Sequence, residues 1–492
     1  MARKILSLCM VLLMLIPTLC SCAQTTTTTT TNNNSGVETN ELGEEIPPVP
    51  TTKYDGADFI IYMTNRNNDT NIVRDFEMTE AGAQENVLNE NIYKRNVQIE
   101  GEFDIKFDTI SEYSSTNTGT QKIRQANMSN THTYDMCVIG TYSVSNLAKS
   151  GDLQDLNDYG SIDLRKSWWD QNANRDLAVN GKLFFTTGDI SLSVTQAMYG
   201  LMFNKEMFDD QGWEYPYQLV RDGKWTFDEM VSLSKKVSDD LDGDQDMDAY
   251  DQYGFGWINS TCVAFLNASG ERVARVNSQG KITLTVTTER AADAVVSYIE
   301  FINMKEYAFN GQKGTSGLAD KTAIGMFADG QMLFRAGEHL CFPHLRDTTL
   351  NYGILPLPKL DETQANYYTP VGSWDSAYVC VPNSTQDTDK TSAIIERMAY
   401  VSSITVTPAY YERTLEGKYM RDEESYDMIT IEIKNRMYDI GLIYDFGTIS
   451  TEITNLSLDG LTQFSSMLKG VEDKARNEIN TTNSDFEKQS NN

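Results

Sequence analysis

Asp58-Phe59-Ile60-Ile61-Tyr62-Met63 is a short apolar run that stops in the polar loop Thr64 to Asn71. A run this short, bounded by turn residues, reads as a buried strand. Tyr134 to Ile139, closed by Gly140, repeats the pattern. Between them Val87, Leu88, Ile92 and Tyr93 recur at helical spacing, Phe103 to Ile110 alternates like a strand, and Gln121 to Met128 reads as a helix. Short apolar strands alternating with helices predict an α/β fold with a mostly parallel sheet.

Further along, Thr226-Phe227-Asp228-Glu229 is a capping box, with Met230, Leu233 and Val237 on one face behind it. Val295, Tyr298, Ile299 and Ile302 form a second helical stripe, and Tyr426, Ile429, Ile433, Met437 and Ile440 a third. All three stripes read as core faces.

The chain has 492 residues, which suggests two or three domains, and 40% hydrophobic content fills real cores. Asp and Glu number 70 against 41 Lys and Arg, a formal charge of −29. That field repels a polyanion, so nucleic acid is not an expected partner. Three histidines leave little imidazole for a metal centre or for general bases. Gly-x-Ser-x-Gly, His-Glu-x-x-His and Cys/His zinc spacings are all missing, so no enzyme class is indicated; acidic pairs, as a glycoside hydrolase needs, are guaranteed by number and carry no information.

The N-terminus is an address. Arg3 and Lys4 precede an apolar run from Ile5 to Leu19, too short to span a membrane comfortably. Leu19-Cys20-Ser21-Cys22 resembles a bacterial lipobox. The resemblance implies a signal peptide over 1–21, removed after Ser21, and palmitate-type acylation of Cys22, which holds the chain on the outer face of the cell membrane. Residues 22–53, with seven threonines in a row, read as a flexible tether that reaches ~100 Å when extended at ~3.3 Å per residue. Cys137, Cys262, Cys341 and Cys380 are too widely spaced to form a disulfide framework and read mostly as small buried hydrophobes, their pairing left open.

Met198 to Phe208 contains Asn204-Lys205, then come Gly212-Trp213-Glu214-Tyr215-Pro216 and Trp225-Thr226-Phe227-Asp228-Glu229. Tyr352 to Lys359 adds Gly-Ile-Leu-Pro-Leu-Pro, and Trp374 to Pro382 a returning strand. Together these segments resemble extracellular solute-binding proteins of family 1, lipoprotein receptors of carbohydrate-type ABC importers. The resemblance implies a two-lobed, periplasmic-binding-protein-like fold of type II. Its discontinuous lobes are joined by a multi-crossing hinge, with the ligand in the cleft between them. Projected onto this chain, the first lobe is 54–190 and 372–410, the second is 411–485 together with 191–371, and 486–492 is a disordered tail. The implied partners are a small solute, most readily a mono- or oligosaccharide, and permease subunits; the chain is expected to be a monomer. A polyamine or peptide solute, or a sensor or adhesin role, are the alternatives.

In that fold, loops after strands line the cleft. The ligand-binding candidates are therefore Asn65 and Arg66 after the first strand, Trp169, Asp189 beside the first crossing, Trp257, and Trp374 at the second crossing. Aromatic rings stack on sugar C–H faces, and planar polar groups bond the hydroxyls. No cofactor is expected for function. One structural cation is: Asp240, Asp242, Asp244, Asp246, Asp248 and Asp251 occupy positions 1, 3, 5, 7, 9 and 12 of a loop, the spacing of oxygen ligands around calcium. Gly243 at position 4 instead of 6, and Asp at 12, depart from the EF-hand pattern.

Overall fold

The computed structural model describes residues 30–31, 38–65, 75–113, 118–312, 322–345, 348–415 and 423–490. Met1–Ile46 is a compact unit of its own. In it Thr30–Thr31 pairs antiparallel with Glu38–Thr39, so part of the stretch expected to be structureless forms a two-rung ladder. Cys22 lies outside the described residues.

Pro47–Asn492 forms the second unit. Its principal strands are β1 (Ala57–Asn65), β2 (Ile105–Tyr113), β3 (Met136–Gly140), β4 (Phe185–Thr186), β5 (Tyr199–Asn204), β6 (Gln252–Trp257), β7 (Ala308–Asn310), β8 (Met332–Glu338), β9 (Tyr352–Leu355) and β10 (Ala377–Cys380). They build two sheets, one in each of two α/β lobes.

The first sheet has the order β2-β1-β3-β10-β4. β1 lies parallel to both β2 and β3, whereas β10 runs antiparallel to β3 and β4. Phe59, Ile61, Tyr62 and Met63 are all buried, which is why an unbroken apolar run, not an alternating one, marks this inner strand. The second sheet has the order β7-β6-β8-β5-β9, with Ser238–Asp239 added beside β6. β6 is parallel to β7 and β8, and β5 is antiparallel to β8 and β9.

Local rules place the second lobe's helices. Asn204 ends β5 and caps the next helix, its Oδ1 accepting from Met207 N at 3.1 Å. Gly212 ends that helix at φ 65°, a conformation only glycine adopts freely. Thr226 Oγ1 accepts from Glu229 N, completing the cap read from the sequence.

Three chain segments run side by side between the sheets. Gly372 N donates to Ala197 O at 2.8 Å, Val371 N to Met437 O at 3.2 Å, and Thr369–Pro370 pairs with Arg436–Met437. These crossings form a narrow hinge. The last helix, Phe464–Ser490, covers residues read as a disordered tail. Phe486 stacks on Phe184 with ring centroids 5.6 Å apart, and Gln489 Nε2 donates to the carbonyls of Ala148 and Lys149. An aromatic anchor and two side-chain bonds hold a segment whose polarity alone predicts fraying.

Candidate functional site

The hinge floor opens into a cavity of about 530 Å³. Its walls come from strand ends. Tyr142 follows β3, Tyr199 opens β5, Asn259 and Ser260 follow β6, Gln312 follows β7, and Glu338 ends β8. The crossing Pro370 to Asp375 forms one side, and Ser450, Thr451 and Thr454 of the helix Ile449–Asp459 another. Open α/β sheets bind ligands beyond the carboxyl ends of their strands, and β3, β6, β7 and β8 all end here.

The lining has two kinds of surface. Tyr142 and Trp374 form an aromatic corner, their rings edge to face with centroids 6.4 Å apart. Trp374 is 59% exposed, which is unusual for an indole. Opposite in character is a polar chain of bonds. Tyr199 Oη donates to Ser260 Oγ at 2.6 Å and is also hydrogen-bonded to the Glu338 carboxyl. Asn310 Nδ2 donates to Asn259 Oδ1 at 3.2 Å, and Asn259 N to Gln312 Oε1 at 3.3 Å.

Burial pushes the Glu338 carboxyl above its usual range, against the Tyr199 bond and the nearby Arg335 guanidinium. Gly372 lets the crossing pass close above this acid: a Cβ there would sit 3.1 Å from Glu338 Oε1 and 3.2 Å from Tyr199 Cε2. Thr141 and Ser376, bonded through their hydroxyls at 2.8 Å, tie the first turn of the helix Thr141–Lys149, which carries Tyr142, to the segment that carries Trp374.

A family model for bacterial extracellular solute-binding proteins matches residues 89–389. The chain belongs to that family. Among solved structures, the protein is similar to the ABC substrate-binding protein Lmo0181 of Listeria monocytogenes in complex with cycloalternan, at 14% identity and TM-score 0.56, covering 87% of this chain and all of that one. It is similar to maltose-bound MalE3 of T. maritima, at 13% identity and TM-score 0.53, covering 86% and 99% of the two chains. The GacH receptor of Streptomyces glaucescens, solved unliganded and with acarbose, gives 14% identity and TM-score 0.51 over 88% and 98%. No curated protein matches. At these identities the likeness shows the fold: two lobes about a hinge.

In this solute-binding protein, Trp374 is the one predicted ligand residue that lines the cavity among the described residues. Trp169 and Trp257, expected at the cleft, are instead core residues, each 2% exposed. Trp169 Nε1 donates to Glu396 Oε2 at 2.8 Å beside the matching bond from Trp168 at 3.0 Å. Trp257 packs on Tyr298 and faces away from solvent, because its strand is covered on both sides. Asp189 accepts from Thr407 Oγ1 at 2.9 Å and stands outside the cavity lining. Burial raises its carboxyl to about 6. Asn65 ends β1, and Arg66 lies outside the described residues.

Glu338, Tyr199, Asn259, Ser260 and Gln312 were not singled out by the sequence. Glu338 closes the strand Met332–Glu338 and Tyr199 opens the strand Tyr199–Asn204, and both strands are buried throughout. Asn259-Ser260, one residue beyond Gly256-Trp257, was the available signal: the wall is the loop, not the tryptophan.

The acidic loop gathers three of its six carboxylates. Oxygens of Asp240, Asp242 and Asp244 lie within 4.8 Å of one another. Asp251 is fully buried, and its two oxygens accept from Leu241 N and Asp248 N at 2.9 and 2.7 Å. Asp246 and Asp248 stand outside the cluster, so the expected six-carboxylate ring is reduced to three at its head. No helix among the described residues is long and apolar enough to cross a membrane.

Proposed function

We propose that this protein captures a saccharide in the cavity by lobe closure and delivers it intact to the permease of an ABC importer. The observation that carries this reading is the lining itself: an exposed indole and a phenol set against amide, hydroxyl and carboxyl groups. This pairing suits a sugar, which has apolar C–H faces and a belt of hydroxyls. Three of the structural neighbours carry cycloalternan, maltose and acarbose, which supports the same class. The lobes of this reading are 54–190 with 372–410, and 191–371 with 411–485, the last helix returning to the first lobe. Acylation at Cys22 and the tether keep the protein at the outer face of the membrane. The chain works as a monomer and performs no chemistry on its solute.

A second reading has its own observation. Among the described residues the lining includes the carboxylates of Glu338 and Asp375 and no lysine or arginine, a balance that favours a polyamine. Thermal-shift screening of the purified chain against oligosaccharides and polyamines separates the two. A ligand at 100 times its Kd adds ~2.7 kcal/mol of stability. Stabilisation by saccharides alone supports the first reading, by polyamines alone the second; stabilisation by neither removes both. We also propose that Asp240, Asp242 and Asp244 hold a structural calcium ion that pins their loop.

A further inference from the structure

Cys137 on β3 and Cys380 on β10 stand directly opposite each other in an antiparallel ladder. Both are fully buried. Opposed residues share one face of the sheet, so their Cβ atoms point the same way. Thr141 N donates to Ser376 O at 3.2 Å along the same ladder. Hydrogen-bonded rungs alternate, so four residues back the Cys137–Cys380 rung is again of that kind, with Cα atoms ~5.5 Å apart. A disulfide wants ~4.4–6.8 Å between its Cα atoms. Both are free thiols in the structure, and Cys380 is the neighbouring group that, after burial, holds the Cys137 thiol up. Cys262 and Cys341 have no such relation: one lies on the helix Thr261–Ala268, the other follows β8 near Arg335.

We propose that Cys137 and Cys380 form a disulfide across the first sheet, made by exchange with an external disulfide oxidant while β10 is pairing with β3. One thiolate attacks the oxidant's S–S bond, forming a mixed disulfide and expelling one thiol. The second protein thiolate then displaces the other half. The protein pair gives up two electrons and two protons, and the oxidant leaves as two thiols. The timing follows from burial, which pushes the Cys137 thiol well above its ordinary range and removes its thiolate once the sheet is closed. The same burial shields the finished bond from reductants. An extracellular compartment tolerates such a bond.

The placement ties the bond to the cavity. β3 runs into Tyr142, and β10 emerges from Trp374 and Asp375. Two rungs, Val138–Val379 and Ile139–Tyr378, separate the cysteines from Gly140 and Ala377, the last strand pair before Tyr142 and Trp374. A covalent rung there holds the two loop stems at one spacing in the open and the closed protein. The bond stands or falls independently of which solute is bound.

The test unfolds and reduces the full chain, refolds it in a glutathione redox buffer, and alkylates it in denaturant before a non-reducing peptide map. The expected map shows the Cys137 and Cys380 peptides joined, lighter by two hydrogens, with Cys262 and Cys341 alkylated. Alkylated Cys137 and Cys380 in a chain with native circular dichroism overturn the proposal, as does either one joined to Cys262 or Cys341. Cys380→Ser should remove the link. Should that variant fail to fold, the wild-type chain refolded with and without oxidant gives a second measurement. The oxidised form should melt roughly 3 °C or more above the reduced form. Equal melting temperatures in two samples that differ in the link overturn the claim that it clamps the sheet.

Discussion

Tyr142 and Trp374 meet edge to face, ring centroids 6.4 Å apart and planes inclined at 73°. One ring follows the third strand of the first sheet; the other sits in the crossing that returns to that sheet. Their meeting places an aromatic corner where first-lobe strand and hinge converge.

Trp374→Ala should weaken saccharide binding about 10- to 100-fold, the loss of one stacking face. Because the ring is 59% exposed, stability should stay within about 0.5 kcal/mol of wild type. Calorimetric titration and urea unfolding read the two effects; an unchanged Kd removes Trp374 from the site.

Arg436 ties the third crossing to the first lobe. Its Nη1 lies 2.9 Å from Asp170 Oδ2, and its Nη2 donates to Thr195 Oγ1 at 3.1 Å. Both charged side chains are nearly covered. Arg436→Met should leave Asp170 without its cation and cost about 3–5 kcal/mol in urea unfolding. A loss below about 1 kcal/mol would mark the pair as a surface bridge.

Glu396 accepts from two buried indoles, yet burial still raises its carboxyl from 4.5 to about 7. The folded state therefore binds more protons than the unfolded chain between those values. Its contribution is full below pH 4.5 and is lost as pH rises through about 7. Glu396→Gln should flatten the melting profile across that window while leaving the profile below it unchanged. A wild-type slope retained in the variant contradicts this assignment.

Calcium should raise the melting temperature, and excess chelator should reverse the rise. Asp240→Asn should abolish it, since Asp240 belongs to the three-carboxylate cluster. Identical melts in calcium and chelator remove the ion from the loop.

Much of the fold was legible because the inner strands are short, apolar and closed by turns. The reading Asp58 to Met63 became a strand over Ala57–Asn65, and Tyr134 to Ile139 one over Met136–Gly140. Thr226 announced its helix by cap chemistry, whereas the cap at Asn204 came to light only in the structure. The site was less legible. A tryptophan's position along the chain does not say which face of a strand end it occupies, so Trp169, Trp257 and Trp374 looked alike. Two of them found buried partners and one did not enter the core. Glu338 was hidden because nothing local marks the acid at the buried end of its strand, and the crossing at Gly372 comes beside it only in the fold.

Isothermal titration of the purified chain with a series of malto-oligosaccharides, followed by chromatography of the recovered sugar, bears on capture without chemistry most directly. Saturable heat at one molecule per chain, with the sugar recovered unshortened, is expected. Absence of heat with every saccharide in a folded sample, or recovery of shortened products, contradicts it.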